Sequence, residues 1–494
     1  MSKEGDIRLL IQSGTPLVVI ETHEEKRAVE LFRRVLSDVL RPMYRWSATT
    51  GMRRIDLDVA SFGADECKEP EVLLQKMAHA TEPSIFLLLD FHPYLADPLN
   101  IRKLREIVLR QNGLEHTVVL ISPRLKLPTE LQYHAAQIEL SMPDEKTLDQ
   151  LVKEEAFRWS RENDGRRVKV NKKSLDTLVK NLQGLALEDA RKLARKVIYN
   201  DGAITDSDIE KVMQQKFKLL NRGGVLSYEF ELVEFDDIAG LTHLKKWLLD
   251  RRKVMHGHGG DLKLDPPKGV LLLGVQGCGK SLAAKAVAAG FGMPLLRLDF
   301  GSLYNKYHGE TERNLRESLS SAEIMAPCVL WIDEIEKGIS VTDSDSGTSK
   351  RILGTLLTWM AEREQPVFLV ATANDIEALP PELVRKGRFD EIFFVDLPKP
   401  PVRERIFAIH LGKRGLDVED FDLAALGEAS EGFSGAEIEQ AVVSALYSAL
   451  AEDVPVAQEA VLEAITSTRP LSVVMAERIA ALRHWASSRT VPAD

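Results

Sequence analysis

Short apolar runs alternate with amphipathic stretches through the first third of the chain. Residues 16–21, 84–90 and 116–122 are rich in Val, Ile and Leu, and their length is typical of buried β-strands. Residues 24–40 place apolar side chains at spacings of three and one, which is the period of an amphipathic helix. Because strands that alternate with helices form parallel sheets, the pattern predicts an α/β layered fold.

The same alternation returns in the second half of the chain. From Pro143 the spacing favours helices, and residues 217–235 combine Gly-Gly with alternating acidic positions, which indicates a linker. The spacing is helical again from Pro400. Between these points, further apolar runs predict strands at 269–274, 293–299, 327–333, 366–372 and 391–398.

The two halves resemble each other segment by segment. Such internal similarity favours a duplicated module, although chance likeness between two α/β domains is the alternative. The parallel segments are 83–93 with 326–336, 117–131 with 368–383, and 178–200 with 426–448.

Composition narrows the function classes. The 494 residues carry 65 Lys and Arg against 75 Asp and Glu, a net charge of −10, which argues against a generic nucleic-acid binder. Cys67, Cys278 and Cys328 lack the spacing of a disulfide framework or a zinc site, which fits a reducing compartment. No apolar run approaches the roughly 18 residues of a membrane span, and the first residues lack the order of a signal peptide. We expect a cytoplasmic protein that binds neither nucleic acid nor membrane.

Residues 274–281 fit the phosphate-binding P-loop pattern, also called Walker A. They follow an apolar strand and open a helix, where glycines let backbone N–H groups surround phosphate oxygens. Lys280 is expected to reach the β- and γ-phosphates of ATP, and Ser281 to ligate Mg²⁺. The nucleotide contacts expected from this motif are Gly274, Gln276, Gly277, Cys278, Gly279, Lys280, Ser281 and Leu282.

A second element of phosphate chemistry, the Walker B pattern, lies 53 residues after Lys280. The apolar strand 329–332 delivers Asp333 and Glu334 at its carboxyl end, where α/β sheets bind ligands. We expect Asp333 to hold Mg²⁺ through water, and Glu334 to polarise the attacking water as general base.

Neither element is intact in the first half. Residues 22–30, which follow the first strand, contain no glycine cradle and no Gly-Lys-Ser, and Asp90 is followed by Phe91. This half is therefore expected to bind nucleotide poorly or not at all, and to have a structural or partner-binding role.

Over about residues 236–470 these features resemble the AAA branch of the AAA+ ATPases. Residues 235–241 resemble the family motif that lines the adenine pocket, which implies base contacts from Ile238 and Ala239. Residues 371–374 resemble the sensor-1 strand, which implies that Asn374 orients the water near the γ-phosphate.

The resemblance extends to the ring contacts of the family. Residues 379–391 resemble the second region of homology, whose two arginines reach the neighbouring subunit's nucleotide, and the matching positions are Arg385 and Arg388. A guanidinium on the γ-phosphate stabilises the transition state, so the resemblance implies a homo-oligomeric ring, most often a hexamer. Lys306 and Tyr307 match the pore loop that contacts a threaded substrate.

The helical region that follows resembles the family's lid. Ile406 and His410 match positions that touch adenine and ribose, and Gly435 and Ala436 match the sensor-2 region of the AAA branch.

More narrowly, the whole chain resembles the cyanobacterial and chloroplast-open-reading-frame type of AAA ATPase, which has a degenerate N-terminal AAA-like domain. The implied fold is α/β, with two tandem P-loop-NTPase-like modules that each combine a parallel sheet with a small helical lid. The expected domains are a degenerate α/β domain (1–143), a lid-like segment (144–216), a linker (217–235), an active AAA domain (236–399), its lid (400–470), and a C-terminal amphipathic helix and tail (471–494).

These features lead to one functional hypothesis and two alternatives. The first is Mg²⁺-dependent ATP hydrolysis that remodels or threads a protein partner. The main alternative is an ATP-gated assembly switch or regulatory scaffold with low turnover, whose partner binds the degenerate domain. A nucleic-acid remodeller is the other, and the net charge argues against it.

Overall fold

The computed structural model forms two compact units, Met1–Ile204 and Thr205–Asp494. It describes residues 3–35, 41–56, 67–109, 116–123, 125–140, 142–221, 225–255, 264–304, 311–339, 346–385 and 387–494.

The first unit consists of a sheet domain followed by helices. Its helices are α1 (Lys3–Gln12), α2 (Glu25–Val35), α3 (Pro70–Ala78), α4 (Pro98–Leu109), α5 (Thr129–Gln132), α6 (Glu145–Glu162), α7 (Lys172–Leu182) and α8 (Leu187–Asp201). Its strands are β1 (Leu17–Glu21), β2 (Met43–Ser47), β3 (Gly51–Arg54), β4 (Ile85–Leu89), β5 (Thr117–Ser122), β6 (Ala135–Glu139), β7 (Lys169–Val170) and β8 (Ala203–Ile204).

The second unit repeats this plan and adds a C-terminal element. Its helices are α9 (Asp206–Leu220), α10 (Thr242–Met255), α11 (Lys280–Phe291), α12 (Phe300–Tyr304), α13 (Thr311–Ile324), α14 (Ile335–Ile339), α15 (Ser346–Glu362), α16 (Pro400–Lys413), α17 (Leu423–Ala429), α18 (Gly435–Glu452), α19 (Gln458–Ser467), α20 (Leu471–Val474) and α21 (Ala476–Ala486). Its strands are β9 (Leu226–Glu229), β10 (Gly269–Gly274), β11 (Leu295–Leu298), β12 (Cys328–Ile332), β13 (Val367–Ala373), β14 (Glu391–Val395) and β15 (Val491–Pro492).

The two large sheets have the same internal strand order. The first runs β3-β2-β4-β5-β1-β6, and the second runs β15-β14-β10-β13-β12-β11-β9. When the two-residue strand β15 is left aside and the other five parallel strands of each sheet are numbered along the chain, both sheets read 5-1-4-3-2. The predicted α/β fold with two tandem modules is therefore confirmed.

The second sheet is buried on both faces, as a parallel sheet requires. Successive residues of β10 alternate between two apolar clusters because strand side chains point to opposite faces. Leu271 and Leu273 pack with residues of α13 and α15, whereas Val270 and Leu272 pack with residues of α10 and α11. This packing fixes the carboxyl end of β10, where the P-loop begins.

The predicted linker 217–235 is wrong at two stretches, 217–220 and 226–229, which are regular secondary structure. Helix α9 continues to Leu220, and β9 pairs antiparallel with β11 at the sheet edge. Leu226 is buried and Tyr228 packs on Phe217 at 5.6 Å between ring centroids. Of the alternating acidic positions that indicated a linker, only Glu229 lies in this edge strand, and Glu231 and Glu234 follow it.

The C-terminal residues fold onto the second unit. Ile479 and Leu482, on the apolar face predicted for the last helix, are buried in α21, and β15 extends the sheet beside β14. Arg483 forms two 2.9 Å hydrogen bonds with Asp396, and Arg478 lies 2.6 Å from Asp375. The helix therefore packs against the same unit that carries the P-loop.

Candidate nucleotide-binding site

The P-loop requires glycine at positions where other residues would strain or clash. Gly277 and Gly279 have φ of 79° and 85°, in the left-handed region that favours glycine. A Cβ atom at Gly274 would lie 2.0 Å from the carbonyl oxygen of Val395 in the neighbouring strand β14. The loop thus leaves its backbone N–H groups free of side-chain bulk, which suits it to surround phosphate oxygens.

Lys280 begins α11 and is 6% exposed. Its Nζ donates hydrogen bonds to the carbonyl oxygens of Gly274 and Val275 at 2.9 and 2.8 Å. Burial lowers the pKa of Lys280 to about 8 and raises the pKa of the neighbouring Cys278 thiol to about 12. Cys278 is therefore a neutral side chain near pH 7, and Lys280 is a cation that a phosphate would stabilise further.

Two oxygen donors suited to Mg²⁺ lie beside this lysine. Ser281 Oγ donates to Asp333 Oδ1 at 3.3 Å, so strand β12 and helix α11 present both groups at one point. Thr372 Oγ1 donates to the same oxygen at 2.6 Å, and Arg297 Nη2 lies 3.4 Å from Asp333 Oδ2. Hydroxyl and carboxylate oxygens are hard donors that Mg²⁺ prefers, so these residues fit the metal.

Glu334 is held by groups from two directions. Its backbone has φ of 48°, an unfavourable value for a side-chain-bearing residue, and its N–H donates to Thr372 Oγ1 at 2.9 Å. Asn374 Nδ2 donates to Glu334 Oε1 at 3.0 Å, and Lys337 pairs with the other carboxylate oxygen. Backbone strain of this kind concentrates at functional sites, where the surrounding contacts hold it.

A cavity of about 590 Å³ joins these groups to the expected base contacts. Every P-loop residue predicted to contact nucleotide lines it except Gly274, whose carbonyl instead accepts from Lys280. The lid closes one side, since Ala436 N donates to Gly277 O at 3.0 Å. Other predicted residues that line the cavity are Ile238, Ala239, Asp333, Glu334, Asn374, Ile406, His410, Gly435 and Ala436.

The remaining predicted residues lie elsewhere or are not described. Arg385 is exposed, and Arg388 donates through Nη1 to the carbonyl of Leu357 in α15. Neither arginine is among the described residues that line the cavity of their own chain. Lys306 and Tyr307 lie outside the described residues.

In the first unit a carboxylate lies where the second unit has its P-loop. Three residues connect β1 to α2, and Glu24 is the last of them. Glu24 Oε1 accepts from the backbone N–H of Leu187, the first residue of α8, at 2.5 Å, and Glu24 Oε2 pairs with Arg27 at 2.6 Å. Phe91 is buried against Trp46, so it offers no base. The chain itself therefore supplies an anion, the Glu24 carboxylate, at the N-terminus of α8.

Four family models match four successive stretches of the chain. A SpoVK-like AAA ATPase N-terminal domain matches residues 3–140, and a SpoVK-like AAA ATPase second domain matches residues 146–223. The ATPase family associated with various cellular activities (AAA) matches residues 270–397, and an AAA+ lid domain matches residues 420–464.

Full-length relatives decide the family. The AAA domain-containing protein ycf46 of Pyropia yezoensis is 36% identical over 493 residues, which cover 98% of both chains. The chain belongs to the AAA ATPase family. The ycf46 protein of Guillardia theta is 35% identical over 99% of this chain and 96% of its own length. A proteasome-activating nucleotidase of Aeropyrum pernix is 40% identical over 197 residues, 38% of this chain and 48% of its own. The resemblance to the cyanobacterial and chloroplast type is thus confirmed.

Two parts of this AAA site were not expected from the sequence. Thr372 links Asp333 to the backbone of Glu334, and its position inside the sensor-1 strand is a signal that could have identified it. Pro492, Ala493 and Asp494 line the cavity although they lie far along the chain from the P-loop, and no local pattern marks them.

The described residues contain no helix of the length and apolarity that crossing a bilayer would need.

The pKa of Lys280 predicts how ATP affinity of this AAA chain depends on pH. Phosphate favours the ammonium form, so binding above pH 8 must be accompanied by proton uptake. We expect affinity for magnesium-free ATP to fall by about twofold from pH 7 to 8 and more steeply above pH 8, approaching about tenfold per unit. Calorimetry in two buffers of different ionisation enthalpy measures the uptake. Adenosine is the control, and an ATP affinity that is constant to pH 9.5 would contradict the prediction.

Proposed function

We propose that the second unit binds ATP with Mg²⁺ and hydrolyses it to ADP and phosphate. The observation that carries the proposal is the convergence of Lys280, Ser281, Asp333, Glu334 and Asn374 on one cavity at the carboxyl ends of β10, β12 and β13. Membership of the AAA ATPase family supports the same activity.

Each residue has a role that follows from its contacts. Lys280 and the P-loop N–H groups bind the phosphates, and Ser281 with Asp333 would hold Mg²⁺, which neutralises phosphate charge when bound. Glu334 accepts a proton from the attacking water as general base. Asn374 fixes one oxygen of that carboxylate through its 3.0 Å hydrogen bond, so the other oxygen is oriented as well.

Hydrolysis is proposed to require a second subunit. Neither Arg385 nor Arg388 lines the cavity of its own chain, which supports the proposal that their guanidinium groups act on the nucleotide of a neighbouring chain. A positive charge on the γ-phosphate stabilises the transition state. Related AAA proteins form hexamers, and we propose a homo-hexamer here.

The work that hydrolysis supports is proposed to be remodelling or threading of a protein partner in the cytoplasm. Related AAA proteins act on protein substrates, and one relative is named a proteasome-activating nucleotidase. Lys306 and Tyr307 are proposed to contact the threaded chain from the pore loop. The degenerate first unit is proposed to bind the partner before threading.

The effect of Tyr307→Ala tests this function. We expect unfolded casein, as a model substrate, to stimulate phosphate release by the wild type, and Tyr307→Ala to lose the stimulation because the aromatic grip is gone. The measured quantity is the ratio of stimulated to basal phosphate release. Tyr447→Ala is the matched control, because Tyr447 is 70% exposed on α18 of the second unit and is not among the cavity-lining residues. Stimulation that survives in Tyr307→Ala would exclude threading and favour the ATP-gated switch.

A further inference from the structure

The N-terminus of α10 is completed by residues from the end of the sequence. The backbone N–H of Thr242 donates to Asp494 Oδ1 at 3.2 Å, and the Thr242 hydroxyl donates to the same oxygen at 2.9 Å. The N–H groups of His243 and Leu244 both donate to the carbonyl of Ala493, at 3.1 and 3.2 Å. A helix leaves its first N–H groups without intrahelical partners, and here a distant segment supplies those partners.

This capping segment is itself fixed by the central sheet. Val491 and Pro492 pair in parallel with Phe393 and Phe394 of β14, and Ala493 N donates to Phe394 O at 2.9 Å. Ala493 is 1% exposed. Because β14 lies beside β10, the segment is held in register with the strand that leads into the P-loop.

The helix that is capped in this way starts directly after the loop expected to contact adenine. Within this base loop (residues 237–241), Gly240 and Leu241 have φ of 68° and 56°. Leu241 carries a branched side chain in the left-handed region, a conformation that persists only where the surroundings hold it. Lys245 Nζ supports the loop from one side by donating to the Ile238 carbonyl at 2.5 Å.

Asp494 also lies close to the base loop. Its Oδ2 lies 3.3 Å from the position a Cβ atom would take at Gly240. Pro492, Ala493 and Asp494 line the same cavity as Ile238 and Ala239. Three elements distant in sequence, the base loop, the lid helix α16 and the capping segment, therefore meet at Gly240, where a Cβ atom would lie 3.1 Å from Val402 of α16 and 3.3 Å from Asp494.

We propose that Asp494, with Ala493, is a positioning element for the purine base of the nucleotide. It holds the base loop by capping α10 and forms a wall of the base subsite, and it makes no contribution to phosphate binding. This inference rests on the proposed ATP binding and assigns part of its selectivity to residues outside the AAA and lid family regions.

The test compares ligands that contain the base with one that lacks it. Asp494→Ala removes the side-chain acceptor, and we expect it to weaken binding of ATP and of adenosine by about five- to tenfold, the effect of losing a helix cap. Inorganic tripolyphosphate, which lacks the base, should bind as in the wild type. Asp494→Asn keeps an acceptor for the Thr242 N–H and should stay within about twofold of wild type, because Asn caps as well as Asp.

A matched control distinguishes an effect on the base subsite from the general effect of losing a helix cap. Asp422 caps α17 through a 3.0 Å bond from Ala425 N and is not among the cavity-lining residues, so Asp422→Ala should change neither affinity. Thr242→Ala is a milder second variant that removes only the hydroxyl donor, and it should shift the ratio of ATP to tripolyphosphate affinity in the same direction.

The outcomes distinguish failure of this inference from failure of the proposed ATP binding on which it rests. Wild-type protein that binds neither tripolyphosphate nor ATP would overturn the proposed ATP site itself. Equal affinity of the wild type for the two ligands would overturn the inference alone, since the base would then contribute nothing to binding. Wild-type protein that prefers ATP, with an unchanged ratio in Asp494→Ala and Thr242→Ala, would overturn the inference alone. Equal losses for ATP and tripolyphosphate in both variants would also overturn it, since they would show a general loss of structure.

Discussion

Phosphate release by Glu334→Gln is expected to fall by about 10²- to 10⁴-fold while ATP binding stays within about twofold of wild type. Glutamine keeps the shape of the side chain and can still face Asn374, but it cannot accept a proton from water. Lys280 bonds to the P-loop carbonyl of Gly274 and Ser281 to Asp333, so the groups proposed to bind phosphate and metal do not depend on this carboxylate, and we expect binding to persist. Single-turnover phosphate release and equilibrium ATP binding measure the two effects.

Glu377→Gln is the control for this substitution, because Glu377 is exposed three residues after Asn374. It should hydrolyse ATP at the wild-type rate. Loss of ATP binding in Glu334→Gln would show that the carboxylate supports the fold of the cavity, and normal turnover would remove it from the reaction.

Arg388→Ala is expected to reduce turnover by about 10³-fold when every subunit carries the change, because the transition state loses a cation supplied by the neighbour. Mixing this variant with Glu334→Gln should restore part of the activity. In a mixed ring, an intact base in one subunit meets an intact arginine from the next. The measurement is phosphate release across mixing ratios at constant total protein.

The control mixture combines Glu334→Gln with Lys280→Ala. Both changes damage the site of the chain that carries them, so no arrangement of subunits restores a complete site, and activity should remain at background. If the Arg388→Ala mixture also stays at background although mixed rings form, the arginine acts within its own chain, for example through its contact with Leu357.

The sequence predicts the fold and the phosphate end of the site because both depend on residues that lie close together along the chain. A buried strand, a glycine-rich loop and a helix follow one another within residues 269–291, and the motif needs no distant partner. The base-binding end is different. Asp494 meets Thr242 across 252 positions, and neither residue has an unusual neighbourhood in the sequence.

The misassigned linker has a similar cause. An edge strand needs a partner to be recognised, and β9 pairs with β11, which lies almost 70 residues further along the chain. Gly-Gly and alternating acids are common in linkers, so local pattern alone favoured the wrong choice. Strand pairing across such distances is a property of the folded sheet and leaves little trace in either segment.

The Glu24 carboxylate gives the first unit an internal link that needs no bound nucleotide. A side chain tethered to the helix it caps is present at a high effective concentration and cannot diffuse away. The link between the β1–α2 loop and α8 therefore stays in place whether the cell is rich in ATP or starved of it. A fall in energy charge would empty the ATP site proposed for the second unit and leave this link in the first unit intact.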